Sequence, residues 1–387
     1  MSKKKICVVI TARPSYARVR SILVALKADA FVELQIVAAA SFVSYKYGDA
    51  SSVLEKDGFC TDWVLNTALE ADSQFTAAKT TGLQTIELAS VFQNLKPDLV
   101  ITIADRYETM STAVAASYSN IPLAHIQGGE VTGNIDEKVR HAITKMSDLH
   151  LVSNQDAYDR VLRLGEVPAR VFNVGCPSID IAREVVLDRN ALESFNPFVD
   201  YTGVGDELDV SKPYLVVMQH PVTTEFGESC QQITATLNAV KSIDMQVFVM
   251  WPNPDTGTEG LSQGIRRFRE LEKPKNFHFF KNMRPEDFLR LLKKSACLIG
   301  NSSVGIRECS YLGVPVVNIG TRQLDRQRGP NVIDTNSQEQ EIVAAIRQQL
   351  SHGPYARTEV YGDGLSGAKA AQVLRDQSPP INKRIMY

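Results

Sequence analysis

The sequence lacks the motifs of several large classes of nucleotide-dependent enzyme. No Gly-x-Gly-x-x-Gly follows the first apolar run, and no glycine-rich loop ends in Gly-Lys-Ser or Gly-Lys-Thr. The six cysteines form no Cys-x-x-Cys pair and have no histidine at the spacing of a metal site. The sequence therefore has no motif for nicotinamide chemistry or ATP hydrolysis. No metal site is expected, and the cysteines are most simply interpreted as buried free thiols.

Long apolar runs and an excess of one charge are also missing. No apolar run reaches the roughly 18 residues that a membrane span needs. Lys3-Lys4-Lys5 leads directly into a short strand pattern rather than into the apolar core of a signal peptide. A net charge of -2 provides no large field for nucleic acid or an anionic membrane. These features predict a cytoplasmic protein whose partner is a small molecule.

Short apolar runs alternate with helical patterns, which is typical of parallel sheets covered by helices on both faces. The first series is Ile6–Ile10, Leu34–Ala38, Leu99–Ile103, Leu123–Ile126 and Leu149–Val152, and the second is Tyr214–Met218, Val247–Met250, Phe277–Phe280, Cys297–Ile299 and Val314–Asn318. Because 387 residues exceed what one hydrophobic core usually serves, we predict an α/β protein with two Rossmann-like domains, 1–175 and 176–364. The stretch 196–212 has no apolar period and is predicted to be a surface loop.

Polar side chains follow these runs, at the strand ends where open parallel sheets bind their ligands. In the first domain the candidates are Arg13, Arg18, Asp105, Arg106, Gln127 and Glu130, and in the second they are His220, Asn253, Ser302, Ser303 and Arg322. The simplest alternative for a single arginine is a solvated surface position. Their placement at strand ends in both domains instead favours binding of an anion such as a diphosphate.

The segment Gly300–Gly305 joins a predicted buried strand to a helix. Its backbone N–H groups and two hydroxyls suit an anion at the positive end of a helix. Glu308, about one and a half turns later, suits the hydroxyls of a ribose. The alternative is an ordinary helix N-cap formed by Ser302 or Ser303.

Several segments, in chain order, resemble the hydrolysing UDP-N-acetylglucosamine 2-epimerases, including the bacterial enzymes that start sialic-acid synthesis. They are Arg13-Pro14-Ser15-Tyr16, Asp105-Arg106, His125 to Arg140 with Gly128-Gly129-Glu130-Val131, Gln219-His220-Pro221-Val222-Thr223-Thr224, Trp251-Pro252-Asn253, Gly300-Asn301-Ser302-Ser303 and Gly320-Thr321-Arg322-Gln323. The resemblance implies a glycosyltransferase-B type fold, two Rossmann-like domains facing across a cleft, with the tail 365–387 packing back on the first domain. It also implies a UDP-sugar substrate, no cofactor and a homodimer.

The reaction implied by the resemblance is anti elimination of UDP across carbons 1 and 2 of the sugar, followed by hydration of the glycal. By the same resemblance the catalytic positions are Asp105, Asp136 and His220. Gln127 occupies the position of a family glutamate, and an amide cannot transfer a proton as a carboxylate can. Glu130, three residues later, is the candidate for that work. The alternatives are helix caps for both aspartates and a hydrogen-bonded loop histidine for His220.

Three other functions fit the same pattern. The first is the same chemistry on a UDP-linked diacetamido trideoxy sugar of the legionaminic-acid type, which differs only at carbons 4 and 6. The second is a glycosyltransferase of similar architecture, which would release UDP only when an acceptor is present. The third is a non-catalytic nucleotide-sugar sensor, which Gln127 favours.

Overall fold

The computed structural model describes residues 3–44, 51–69, 74–132, 135–222, 225, 227–252 and 258–386. The chain folds into two compact units. Unit 1 comprises Met1–Glu130, Ile135–Asp180 and Tyr361–Tyr387, and unit 2 comprises Val131–Asn134 and Ile181–Val360. Asn253 lies outside the described residues.

Unit 1 is built on strands β1 Lys4–Ile10, β2 Val32–Ala39, β3 Trp63–Leu65, β4 Leu99–Ile103, β5 Leu123–Ile126, β6 Leu149–Val152 and β7 Val171–Asn173. Its helices are α1 Arg13–Ala17, α2 Arg20–Ala28, α3 Ser51–Lys56, α4 Gln74–Leu95, α5 Tyr107–Tyr118, α6 Ile135–Met146 and α7 Gln155–Arg163, after which α8 Pro177–Leu187 leads out of the unit. Among the described residues the strands form one parallel sheet in the order β3-β2-β1-β4-β5-β6-β7.

The central strand of unit 1 is buried on both faces. Ile6, Val8 and Ile10 pack in one apolar cluster with side chains of α2. Cys7 and Val9 point to the opposite face and pack with side chains of α4. Successive side chains of a strand alternate between faces, so a strand covered by helices on both sides must be apolar throughout. This is why the continuous runs predicted the strands well.

Unit 2 repeats the plan with α9 Arg189–Glu193, α10 Pro197–Asp200, α11 Ser229–Lys241, α12 Thr258–Glu272, α13 Pro285–Lys294, α14 Ser303–Ile306, α15 Glu308–Leu312 and α16 Glu339–His352. Its strands are β8 Gly203–Gly205, β9 Tyr214–Met218, β10 Gln246–Met250, β11 Phe277–Phe280, β12 Cys297–Gly300, β13 Val316–Ile319 and β14 Val332–Thr335. In the described part of the chain they are ordered β14-β13-β12-β9-β10-β11-β8.

The prediction of a plain surface loop over 196–212 is wrong for its first half. That segment forms α10 and then β8, which pairs antiparallel with β11 at the edge of the sheet. A Cβ on Gly203 or Gly205 would approach the β11 backbone to 2.6 or 2.2 Å, so glycine lets the two chains meet. A strand of two glycines and one valine has no apolar period, which is why the pattern missed it.

Strand order places the polar segments of each unit together. In unit 1 the order reverses between β1 and β4, and in unit 2 it reverses between β12 and β9. Crevices at the carboxyl ends of strands on either side of such a reversal are the usual ligand sites of open α/β sheets. Arg13 and Asp105 follow the first strand pair, and His220 and Asn301 follow the second.

After unit 2 the chain returns to unit 1 through α17, Ser366–Asp376. The Asp180 carboxylate accepts hydrogen bonds from the backbone N–H groups of Ser366, at 2.9 Å, and Gly367, at 2.6 Å. A Cβ on Gly367 would lie 2.6 Å from the backbone of Ser21, so glycine allows α17 to pack closely on α2. Among the described residues, no helix is both long enough and apolar enough to cross a membrane.

Candidate functional site

Asp105 lies at the strand reversal of unit 1, directly after β4. Ala104 before it has a φ of 62°, a turn that directs the chain away from the strand. Asp105 is 7% exposed, and its carboxylate contacts Nη2 of Arg140 and lies 3.6 Å from Nη1 of Arg18. The N-cap of α5 is Arg106, so the alternative of Asp105 as a helix cap is wrong. Its carboxylate is instead held by two guanidinium groups.

Arg140, the last residue of the segment His125 to Arg140, lies at the centre of the site although it is not among the predicted site residues. It lies on α6 and is only 2% exposed. Nη1 donates to the backbone carbonyl of Glu130 at 2.8 Å, while Nη2 contacts Asp105. Because a buried guanidinium is costly unless it is paired, this geometry fixes Glu130 and Asp105 relative to α6. Its position one turn after Asp136 on the same helix face was the available signal.

His125 connects the turn before Asp105 to helix α6. Its Nε2 lies 2.7 Å from the carbonyl oxygen of Ala104, and its Nδ1 lies 3.2 Å from Oγ1 of Thr144 on α6. Burial lowers the pKa of His125 to about 3, although the Ala104 carbonyl opposes this shift. A Cβ on Gly128 would be 2.8 Å from Nδ1, which explains a glycine there. His125 is therefore a neutral support for the turn that presents Asp105.

Gln127 is fixed by a thiol. Its φ of 63° lies in the left-handed region, and its side chain is buried. Nε2 donates to Sγ of Cys176 at 3.0 Å, and that sulfur lies 2.9 Å from Oγ of Ser178. The amide orientation is therefore set by Cys176, a contact between segments 49 residues apart that no local pattern indicates.

The other candidates of unit 1 are less deeply placed. Arg13 begins α1 and is half-buried, and Asp136 lies in the first turn of α6, also half-buried. Nε of Arg106 lies 3.2 Å from the fully buried carboxylate of Glu108. Glu108 therefore neutralises much of the charge that Arg106 could offer a ligand.

In unit 2, His220 is held through its backbone. Its N–H donates to Oδ1 of Asn301 at 2.7 Å, and Nδ2 of Asn301 donates back to its carbonyl oxygen at 2.9 Å. Both residues are almost fully buried. These two hydrogen bonds join the segments that follow β9 and β12. Asn301 therefore fixes the position of the His220 backbone, from which the imidazole projects.

The loop after β12 is shaped by close backbone contact. Gly300 has a φ of 140°, and a Cβ there would lie 2.0 Å from the carbonyl oxygen of Met218. The Ser302 side chain caps α14 by accepting from the backbone N–H of Val304, and Oγ of Ser303 accepts from Arg307 at 2.8 Å. The cap predicted as the alternative is therefore present at Ser302, and both hydroxyls already have partners in the chain.

Arg322 and Glu308 flank this loop. Nη1 of Arg322 donates to the carbonyl oxygen of Asn301 at 3.3 Å, and Nε2 of Gln323 donates to the same atom at 2.9 Å. Glu308 is 8% exposed, and its Oε2 lies 3.9 Å from Nε of Arg307 but makes no hydrogen bond to a described residue. A buried carboxylate oxygen that accepts no hydrogen bond suits a ribose hydroxyl.

A family model described as UDP-N-acetylglucosamine 2-epimerase matches residues 24–375. The chain belongs to this family. It is 29% identical, over 99% of its length and 98% of the relative's, to the UDP-N,N'-diacetylbacillosamine 2-epimerase (hydrolyzing) of Legionella pneumophila. It is 34% identical to polysialic acid biosynthesis protein P7 of Escherichia coli, over 89% of this chain and 85% of that protein.

Solved structures of the epimerase family share the fold. A crystal structure of UDP-GlcNAc 2-epimerase from Neisseria meningitidis, bound to UDP-GlcNAc, matches with a TM-score of 0.79 and 18% identity, covering 96% of this chain and 99% of that chain. A putative UDP-N-acetylglucosamine 2-epimerase from Listeria monocytogenes matches with a TM-score of 0.77 and 18% identity over 100% of both chains. At this identity the structures show the glycosyltransferase-B type architecture of two α/β domains.

Proposed function

We propose that this family member is a hydrolysing 2-epimerase that converts UDP-N-acetylglucosamine into N-acetylmannosamine and UDP. The observation that carries the proposal is the buried ion pair of Asp105 with Arg140 at the strand reversal of unit 1. Proton transfer at a sugar carbon requires a carboxylate that is held in one orientation, here at the sheet edge where open α/β sheets bind their ligands.

Unit 1 supplies the groups for the chemistry. The elimination needs a base for the proton on carbon 2, and the hydration needs a group that delivers water. Asp105, Asp136 and Glu130 are the carboxylates of this edge, and Arg140 fixes the first and the backbone of the third. Gln127, locked by Cys176, contributes hydrogen bonds rather than proton transfer.

Unit 2 supplies the groups for the nucleotide. In the proposal, Arg322 and the loop from Gly300 to Ser303 bind the diphosphate, and Glu308 accepts from the ribose. The support is that Arg322 already contacts this loop and that Oε2 of Glu308, 3.9 Å from Nε of Arg307, accepts no hydrogen bond from a described residue. Arg13 and Arg18 of unit 1 would add positive charge as UDP leaves, and His220 is the unit 2 candidate for proton transfer.

A second substrate is favoured by specific relatives. The Legionella pneumophila relative and a Campylobacter jejuni relative, 32% identical over 87% of this chain, are both named as diacetylbacillosamine 2-epimerases (hydrolyzing). A Neisseria meningitidis relative, 27% identical over 96% of this chain, is named UDP-N-acetylglucosamine 2-epimerase. The two substrates differ at carbons 4 and 6, while the elimination takes place at carbons 1 and 2.

The proposal is tested by incubating the pure protein in heavy water with UDP-N-acetylglucosamine or its diacetamido trideoxy counterpart, without an acceptor, and following the products by NMR. We expect free UDP and a free 2-epimer carrying deuterium at carbon 2. UDP release only on addition of an acceptor would instead identify a transferase. Binding of both sugars without turnover would identify a sensor.

The role of Glu130 has its own test. If Glu130 performs the proton transfer that Gln127 cannot, Glu130→Gln should lose on the order of 100-fold in turnover. Adding Gln127→Glu to that variant should restore part of the activity, while UDP affinity stays unchanged throughout. Full activity of Glu130→Gln would leave the proton transfers to Asp105, Asp136 and His220.

A further inference from the structure

Lys383, in the segment after α17, lies against the C-terminal end of α6. Its Nζ donates to the carbonyl oxygen of Thr144 at 3.2 Å and also to the carbonyl oxygen of Ser147. The last carbonyl groups of a helix have no partner within the helix, and a cation at that end interacts favourably with the helix dipole. Lys383 therefore caps the helix that carries Asp136 and Arg140.

Glu166 holds the ammonium group of Lys383 at this helix end. Nζ of Lys383 lies 2.8 Å from Oε2 of Glu166, whose side chain is only 5% exposed. Nζ of Lys145, in the last turn of α6, lies 2.6 Å from Oε1, and Nε2 of His150 lies 3.0 Å from Oε2. Although burial opposes ionisation, hydrogen bonds from these three side chains hold the pKa of Glu166 at about 2. The carboxylate is therefore charged at neutral pH and joins the tail to α6.

The tail is fixed at a second point, beside the turn that follows α7. The N–H of Met386 donates to the carbonyl oxygen of Gly165 at 2.9 Å. Gly165 has a φ of 84°, and a Cβ there would lie 2.5 Å from Cγ1 of Ile385 and 2.8 Å from the carbonyl oxygen of Met386. Glycine at this position therefore permits both the turn and the close approach of the tail. Lys383 is thus held on a segment that is itself anchored.

Thr144 connects Lys383 to the two residues that support Asp105. While its carbonyl oxygen accepts from Lys383, its Oγ1 lies 3.0 Å from the carbonyl oxygen of Arg140 and 3.2 Å from Nδ1 of His125. Arg140 binds the carboxylate of Asp105, and His125 contacts the turn directly before it. A shift at the end of α6 therefore reaches Asp105 by two routes. Small displacements of a catalytic group lower the rate steeply.

We propose that Lys383 is a positioning residue for the reaction, whose contacts at the end of α6 keep Arg140, and through it Asp105, in the productive orientation. This inference rests on the proposed function, because it requires that Asp105 take part in the chemistry. The contacts of Lys383 are to the end of α6 and to Glu166, so it acts through the helix and not on the substrate.

Lys4, at the start of β1, provides a matched control within unit 1. Its Nζ donates to the carbonyl oxygen of Leu374 at 2.8 Å and to that of Gln377, at the C-terminal end of α17. Both Lys4 and Lys383 are half-buried. The two lysines therefore make the same kind of helix cap, but α17 carries none of the candidate site residues. Loss of either cap should lower stability, whereas only loss of the Lys383 cap should lower turnover.

The test compares Lys383→Met, Lys383→Arg and Lys4→Met in the full-length protein, at a temperature where circular dichroism shows all three folded. Lys383→Met should lower kcat on the order of 10-fold, while KM and the affinity for UDP change less than about two-fold, because other residues bind the substrate. Lys383→Arg retains a cation that donates hydrogen bonds and should restore most of kcat. Lys4→Met should lower the melting temperature and keep kcat. Wild-type kcat in Lys383→Met, or an equal loss in Lys4→Met, would overturn the inference.

Hydrogen exchange separates this inference from the proposed function, because it requires no turnover. In Lys383→Met the backbone amides of α6 and of the turn at Asp105 should exchange faster than in the wild type, while those of α17 are unchanged. Lys4→Met should show the reverse. If the wild type turns over neither UDP-sugar but α6 responds in this way, the proposed function is wrong and the coupling of Lys383 to α6 stands. Unchanged exchange of α6 in Lys383→Met would overturn that coupling, whatever the activity.

Discussion

At the carboxyl edge of the unit 1 sheet, Asp105 is held by charged side chains, whereas at the corresponding edge of unit 2, His220 is held by a neutral amide. In unit 1, Asp105 is bound by Arg140 and lies near Arg18, and both ionic partners of the close pair are buried. In unit 2, His220 is held by the amide of Asn301, whose carbonyl oxygen accepts from Gln323. Loss of one partner of a buried ion pair destabilises the folded protein strongly, whereas loss of one partner of a neutral hydrogen bond destabilises it less. The two edges should therefore respond very differently to mutation.

The largest difference is expected for Arg140→Met. Removing the guanidinium leaves the Asp105 carboxylate buried without its closest partner, which should lower the free energy of unfolding by roughly 3–5 kcal/mol. Because Asp105 and the Glu130 backbone would shift, turnover should fall on the order of 100-fold. Thermal melts and steady-state rates measure both effects.

Arg347→Met makes the same chemical change at an exposed position of α16 and should alter neither quantity. If Arg140→Met keeps wild-type turnover, Arg140 does not position Asp105 for the chemistry.

Acid should destabilise unit 1 through His125. Its pKa is lowered to about 3 in the folded state by burial, against an ordinary value of 6.5. Well above pH 6.5 the imidazole is neutral in both states, so it adds no pH dependence. As the pH falls from 6.5 towards 3, the unfolded chain binds a proton that the folded chain does not, and stability falls by up to about 1.4 kcal/mol per pH unit.

Chemical denaturation of the wild type and of His125→Asn between pH 6.5 and 5 tests this. The variant is less stable at every pH because it loses two hydrogen bonds, but its stability should decline less steeply with acid. Equal slopes would mean that His125 binds its proton equally well in the folded and unfolded states, so that burial does not lower its pKa.

Arg322→Met tests the edge of the unit 2 sheet. The substitution removes the hydrogen bond that Nη1 of Arg322 donates to the carbonyl oxygen of Asn301, so we expect a stability loss of about 1 kcal/mol. If it binds the diphosphate, the affinity for UDP should fall by roughly 1.5–3 kcal/mol, about ten-fold to more than 100-fold. Calorimetry with UDP measures this, and an unchanged dissociation constant would remove Arg322 from the site.

The smallest effect on stability is expected at Ser302. Its substitution by alanine or by aspartate distinguishes helix capping from ligand binding. Ser302→Ala removes the N-cap of α14 and should cost about 1 kcal/mol of stability. Ser302→Asp keeps a capping oxygen but adds a negative charge to the loop, so stability should be retained while UDP affinity falls. Wild-type UDP affinity in Ser302→Asp would show that the loop does not bind a diphosphate.

The fold was largely predictable because its strands are buried on both faces. Runs such as Leu99–Ile103 and Tyr214–Met218 coincide with the observed strands, since a strand between two layers of helices has no polar side to interrupt it. The prediction failed at β8, where two glycines contribute through close backbone contact rather than through side chains. Periodicity detects burial of side chains and does not detect such contacts.

The polar segments that follow the strands, and the family to which the chain belongs, could both be identified from the sequence. The sequence alone also determined that Gln127 cannot transfer a proton, because this follows from the side chain itself. Only the tertiary structure decided that Arg140 binds Asp105, that Cys176 fixes Gln127 and that Asn301 holds the backbone of His220. Each of these contacts joins segments that lie 35 to 81 residues apart. Which partner satisfies a buried polar group depends on how the strands are ordered in the sheet, and local sequence patterns carry no information about that order.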